Sequence, residues 1–204
     1  MSDALQELIR KGLSLVEEEP QHDLKLGFRC HLLSAFNEIG SPEGRRTSHR
    51  KKVKLAVLAV TKVLPLWEGL FATDRTPHHA LELAEKTFAE TISPTTAEKE
   101  VGRLWTHCDD LIWKHEGNQS PIMVGYGAIQ AIREALSERH FGRAHVNDQS
   151  TDLDIQPYDQ DSSFFAAAAY SNGAPWESKS NAQQRLEFWT WWLMSAVPSA
   201  LNAT

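Results

Sequence analysis

Apolar residues recur every three or four positions along nearly the whole chain, and nowhere do they alternate over a strand's length. That periodicity commits the chain to packed α-helices. Its strongest instance runs from Val53 through Val57, Val60, Leu64 and Trp67 to Phe71, with Leu55, Leu58, Leu66 and Leu70 filling the flanks. A helix apolar nearly all round belongs at the centre of a bundle. Pro65 lies inside this run, removes one backbone donor, and predicts a kink near Thr61 and Lys62.

The remaining boundaries follow from caps and breakers. A first helix is expected from Asp3 to Val16, a second from His22 to Ile39 ending at Gly40-Ser41-Pro42, and the central one from Thr47 to Leu70. Asp74-Arg75-Thr76-Pro77 turns into a fourth, from Pro77 to Thr91. Ser93-Pro94 and Ser120-Pro121 each set a capping hydroxyl before a first-turn proline. They open a fifth helix reaching Lys114 and a sixth reaching Arg139. Between His140 and Asp159 the periodicity vanishes, and Gly142 and Pro157 break a polar, acidic stretch of a length unusual inside a compact domain. A short helix from Asp161 to Tyr170 and a tryptophan-rich last one from Asn181 to Leu201 complete the expectation: one all-α domain over residues 1–204, a bundle of seven or eight helices with one long acidic connection.

Composition narrows the function. The chain has 204 residues, 41% hydrophobic and 24% charged, enough for a sizeable single core. No membrane-length apolar run or signal-peptide layout is present, so the expected location is the cytoplasm, with no membrane partner. Cys30 and Cys108 sit within helical patterns and read as free thiols. The formal net charge is −6, and it is unevenly distributed. Between Arg143 and Lys179 there is no Lys or Arg, while Asp148, Asp152, Asp154, Asp159, Asp161 and Glu177 add six negative charges; elsewhere acids and bases are equal in number. A basic run, Arg45, Arg46, Arg50, Lys51, Lys52 and Lys54, offers phosphate contacts in principle, but the acidic pI of about 5.8 and its place at a helix start argue for solvation or pairing with the acidic connection.

Catalytic signals are sparse. His107 and Asp110 have i, i+3 spacing, and His115 shares a face with Cys108, seven residues before it; His107, Asp110 and His115 are possible ligands for a metal-dependent enzyme in a helical bundle. His115 also continues the apolar stripe Leu104, Cys108 and Leu111, as an edge-of-core histidine does. His78 and His79 diverge by about 100° on a helix and cannot chelate together. Asp152-Leu153-Asp154-Ile155-Gln156 starts like a calcium loop, then places Pro157 and Ser163 where glycine and glutamate are needed. No nucleotide-, nucleophile- or zinc-protease motif is present, and no cofactor is expected. Trp67, Trp105 and Trp189 fall in core stripes, whereas Trp176 sits in a Gly/Pro turn as an exposed-anchor candidate.

Lys62-Val63-Leu64-Pro65-Leu66-Trp67-Glu68, Asp74-Arg75, Ala80-Leu81-Glu82-Leu83-Ala84, Val124-Gly125-Tyr126-Gly127-Ala128, the stretch from Asp154 to Tyr158, Ala174-Pro175-Trp176-Glu177 and Phe188-Trp189-Thr190-Trp191-Trp192 together resemble predicted immunity proteins of the Imm-five type, from bacterial polymorphic toxin systems. The resemblance spans roughly Val53 to Ala200 and implies a non-enzymatic protein that captures a cognate toxin by occlusion. Such a protein needs a stable scaffold and a complementary charged surface. The expected partner surface is Asp148, Asp152, Asp154, Tyr158, Asp159, Asp161 and Trp176, with no nucleic-acid partner. A metal-dependent enzyme and a structural or adaptor protein are the alternatives the residues leave open.

Overall fold

In the computed structural model, which describes residues 2–36, 42–137 and 147–202, helix follows helix: α1 (Asp3–Glu18), α2 (Leu26–Ser34), α3 (Pro42–Leu70), α4 (Thr76–Phe88), α5 (Pro94–Lys114), α6 (Ser120–Leu136), α7 (Ser162–Tyr170), α8 (Ala182–Trp191) and α9 (Val197–Leu201). A π turn, Trp192–Ala196, joins the last two into one rod. With that rod counted once there are eight helices and no strand among the described residues, and the fold is all-α. No helix there is long and apolar enough to cross a membrane.

The hub is α6 rather than the segment expected at the centre. Thirteen of the 17 residues of α6 are buried, and α3, α4, α5 and α7 all pack on it. Small residues make this possible. A Cβ on Gly125 would stand 2.7 Å from the Cys108 sulfur and 2.9 Å from the Trp67 ring, so the glycine that weakens a helix interior by about 1 kcal/mol also lets α3 and α5 close on it. The expected centre is amphipathic instead. Val53, Ala56, Val60, Val63 and Trp67 are buried while Thr61, Lys62, Pro65 and Leu66 are exposed.

Local chemistry explains the boundaries that moved. Ser93 caps α5 as expected, accepting from the Thr96 amide at 3.1 Å. Ser120 does not cap: it is the first residue of α6, and its hydroxyl donates to Asn172 Oδ1 at 2.7 Å. The second helix starts four residues late because Glu19 accepts the Gln21 and Asp23 amides and His22 Nδ1 meets the Val16 carbonyl, fixing a turn over residues 19–25. The expected ends at Ile39 and Arg139, and the breaker Gly40-Ser41, lie outside the described residues. The π turn stands just before Pro198, whose ring would clash with the carbonyl four residues back in a regular helix. It leaves Met194 56% exposed.

Candidate protein-binding surface

The acidic connection lacks helical periodicity, yet residues 147–161 are tightly held. The Gly27 amide donates to Ser150 O at 2.9 Å, and the approach is so close that a Cβ on Gly27 would lie 1.8 Å from the Asn147 carbonyl oxygen. Two 3-10 turns follow, Asp152–Asp154 and Pro157–Asp159. The first is closed by a capping box in which the Thr151 amide donates to the Asp154 carboxylate at 2.7 Å. Two polar side chains of the hub complete the anchorage: Gln130 Nε2 donates to Tyr158 O at 2.7 Å, and the Glu134 carboxylate accepts the Ser162 amide at 2.9 Å. Residues 140–146 of the expected loop lie outside the described residues.

Arg29 is the clamp. Fully buried on α2, it donates to both Asp152 oxygens at 2.6 and 3.0 Å, to Asp161 Oδ2 at 2.8 and 3.0 Å, and to Leu24 O at 2.6 Å. All five of its N–H groups are engaged. Burial pushes the Asp152 carboxyl up to about 6, against the pull of the guanidinium beside it. The two anchoring carboxylates hold Arg29 well above its ordinary value despite the burial that opposes its charge.

The acids unbalanced along the sequence are therefore largely matched in space. Asp152 is 1% exposed and Asp161 caps α7, accepting the Phe164 amide at 2.8 Å, so both face inward. Asp148 lies 3.3 Å from His31 and 3.7 Å from Lys11. Asp159 lies 3.4 Å from Arg133, and Glu177 3.5 Å from Lys179. Asp154 is exposed and accepts from Thr151.

Tyr158 and Trp176, far apart in sequence, stand at the two ends of one ladder of rings. Trp176 stacks on Phe164 with centroids 5.6 Å apart, Phe164 meets Phe165 edge-on at 5.6 Å, Phe165 meets Trp105 at 6.3 Å, and Trp105 meets Tyr158 at 4.7 Å. Tyr126 stacks beneath at 5.6 Å from Phe165, its hydroxyl donating to Asp109 at 2.5 Å. Burial, with Asp109 beside it, raises the Tyr126 phenol far above its ordinary value. The end rings remain 44% and 46% exposed, anchored from behind and open in front. Arg133 lies over the Tyr158 ring and donates to its carbonyl. A groove of about 450 Å³ opens alongside, lined among others by Glu98, Val101, Arg133 and Leu136.

The possible ligand trio His107, Asp110 and His115 does not converge. His107 Nε2 meets Asp74 at 2.7 Å, His115 follows the end of α5 with its ring edge-on to Phe71 at 5.1 Å, and Asp110 is exposed. Among the described residues no three His, Cys, Asp or Glu side chains group as metal ligands. Burial would raise the Asp74 carboxyl, but hydrogen bonds from Thr76 and His107 outweigh it and hold the group below its usual range. His78 and His79 diverge as expected, to Glu68 on α3 at 3.0 Å and Glu100 on α5 at 3.7 Å. In the basic run, Arg46 pairs with Glu90 at 3.2 Å, and Arg46 and Arg50 lie over the Phe88 ring.

Gly27, Arg29, Gln130 and Glu134 were not singled out from sequence. A signal existed for Arg29, a lone charge on the apolar stripe Leu26, Arg29 and Leu33. No curated protein matches the chain. The family model described as Immunity protein Imm5 matches residues 9–199, and the chain belongs to that family.

Proposed function

We propose that this member of the Imm5 immunity-protein family acts in the cytoplasm by binding a cognate toxin and covering its working surface, without chemistry of its own. The partner-facing surface is the outer side of the connection and the ends of the ring ladder: Asp148, Asp154, Tyr158, Asp159 and Trp176, with Asp152 and Asp161 holding that surface in place from within. The observation that carries this reading is the pair of half-exposed rings, Trp176 backed by buried Phe164 and Tyr158 by half-buried Trp105, each next to a carboxylate in sequence. Rigid aromatic anchors of this kind dominate protein interfaces because little side-chain freedom is lost when they are covered. Nearby carboxylates add steering toward a basic partner.

The test is coexpression with the toxin domain of the protein's own system, reading both cell survival and a stable stoichiometric complex. Tyr158→Ala and Trp176→Ala should each weaken the complex by about 2 kcal/mol, roughly thirtyfold, as expected of central anchors. Full protection with unchanged affinity in both variants would remove this surface from the interface. Failure of the wild-type chain to protect or bind would remove the toxin reading itself.

A further inference from the structure

A cavity of about 250 Å³ lies where α1, the turn before α2 and the start of the acidic connection meet. Leu15 gives it an exposed apolar wall with Leu24 and Phe28 buried behind, and Glu18, Glu19, Asp23 and Asp148 give it four carboxylates against the two cations Lys11 and Lys25. Both cations are drawn to the connection, Lys11 toward Asp148 at 3.7 Å and Lys25 to Gln149 at 2.9 Å. Asp23 lies at the boundary between this cavity and the buried charge cluster.

That cluster is short of positive charge. Arg29 and Arg185 are buried among Asp23, Asp152, Asp161 and Glu19, four carboxylates to two guanidiniums. Arg29 has no donor left, and Arg185 directs its terminal N–H groups to Gln21 O, Gly173 O and Ser180. Its Nε has no partner, and the Trp189 indole N–H faces Asp23 without closing a well-formed hydrogen bond. Neither guanidinium therefore donates to Asp23. Burial raises the Asp23 carboxyl above its ordinary value, although both arginines oppose the shift. A partly desolvated carboxylate beside an opening with an exposed apolar wall suits a cationic head on an alkyl stem, with the stem lying along Leu15, which is open to solvent.

We infer that this cavity receives the arginine or lysine side chain of a protein partner, its cationic head directed at Asp23. The inference rests on the partner-binding reading above and gives it a specific contact. It is tested first on the chain alone, by nuclear magnetic resonance titration with N-acetyl-arginine amide at low salt and N-acetyl-citrulline amide as the neutral isostere. The arginine probe should give saturable shifts confined to residues 11–28 and 148–149, with a dissociation constant on the order of 1 mM, and the citrulline probe none. Asp23→Asn should weaken the probe about tenfold, the equivalent of 1.4 kcal/mol. Leu15→Arg should abolish binding by lying in the cavity with its own guanidinium. Leu15 is 39% exposed, so the second variant leaves folding intact.

Absence of saturable binding to the wild-type chain, or equal binding by both variants, overturns the inference. In the toxin complex, Leu15→Arg should weaken affinity at least about tenfold. An unchanged complex would also overturn it while leaving the proposed function standing. Failure of any toxin to bind the wild-type chain counts against the proposed function, and the probe titration is read independently of it.

Discussion

Replacing Arg29 by methionine tests whether the connection is held by a charge clamp. Methionine keeps the unbranched apolar stem but removes the guanidinium, with its five donated hydrogen bonds and its place 5.3 Å from the Trp189 ring. It strands two carboxylates, one fully buried and one 15% exposed. Removing one partner of a buried ion pair costs about 3–5 kcal/mol, and with two acceptors left the upper part of that range applies. Asp152→Asn leaves Arg29 paired with Asp161 and keeps one acceptor, so it should cost only about 1–2 kcal/mol. Arg29→Lys, which keeps the charge but not the planar fork, should fall between them. Urea unfolding followed by tryptophan fluorescence and circular dichroism gives all three values. The pH dependence has a definite sign. In the methionine variant the stranded Asp152 carboxyl, already raised by burial, titrates in the folded state above its unfolded value near 3.9, so the folded state holds the extra proton and stability rises as pH falls from 7 toward 5. A loss below about 1.5 kcal/mol for Arg29→Met, or a loss equal to that of Asp152→Asn, would refute the clamp.

Three further outcomes follow from the packing. Gly27→Ala forces the backbone at Asn147 to move and should cost about 2–4 kcal/mol, with faster proteolysis at residues 147–160 than elsewhere; wild-type protection of that stretch would contradict the close contact. Gly125→Ala gains about 1 kcal/mol of helix propensity but overpacks against Cys108 and Trp67, so the net effect on the urea midpoint should be destabilising by roughly 1–2 kcal/mol; a stabilised variant would mean those side chains give way freely. Burial, with Asp109 and Asp74 nearby, pushes the Cys108 thiol far above its ordinary value, so alkylation of Cys108, located by peptide mapping, should require global unfolding.

The helices were legible where a local signal coincided with the long-range packing. The Ser93-Pro94 start and Lys114 end of α5 hold because one cap and one uninterrupted stripe agree. Ser120-Pro121 carries the same signal, yet Ser120 bonds to Asn172, 52 residues on, and no local pattern encodes that competitor. Hydrophobicity without volume points to the wrong hub. Residues 53–70 are rich in large apolar groups, but α6 is small enough at Gly125, Gly127, Ala128 and Ala131 to be approached from several sides. Charge showed the same gap between sequence and space. Residues 148–161 look unbalanced because the cation that answers Asp152 and Asp161 lies 123 and 132 positions away. Trp176 was legible from its Gly/Pro surroundings, while the contact joining Tyr158 to Trp105 was not.

The division of labour among the acids bears on how such a surface binds. A flexible acidic loop would lose conformational freedom when captured, at about 0.5–1.5 kcal/mol for each side chain immobilised. In this chain Asp152 and Asp161 are fixed by Arg29, Gln130 and Glu134 hold the connection to α6, and Gly27 lets it lie flat on α2. The ordering therefore occurs on folding, not on binding. Asp154, Tyr158 and Asp159 are thereby held in one arrangement, as the proposed toxin-binding role requires. Disrupting the clamp should then weaken partner binding without removing any contact residue. Arg29→Lys, stable enough to remain folded, is the variant that separates this effect from global unfolding: its complex should dissociate faster than that of the wild type at a temperature where both free chains are fully native. Equal dissociation rates would show that the connection is ordered by the partner instead of by the fold.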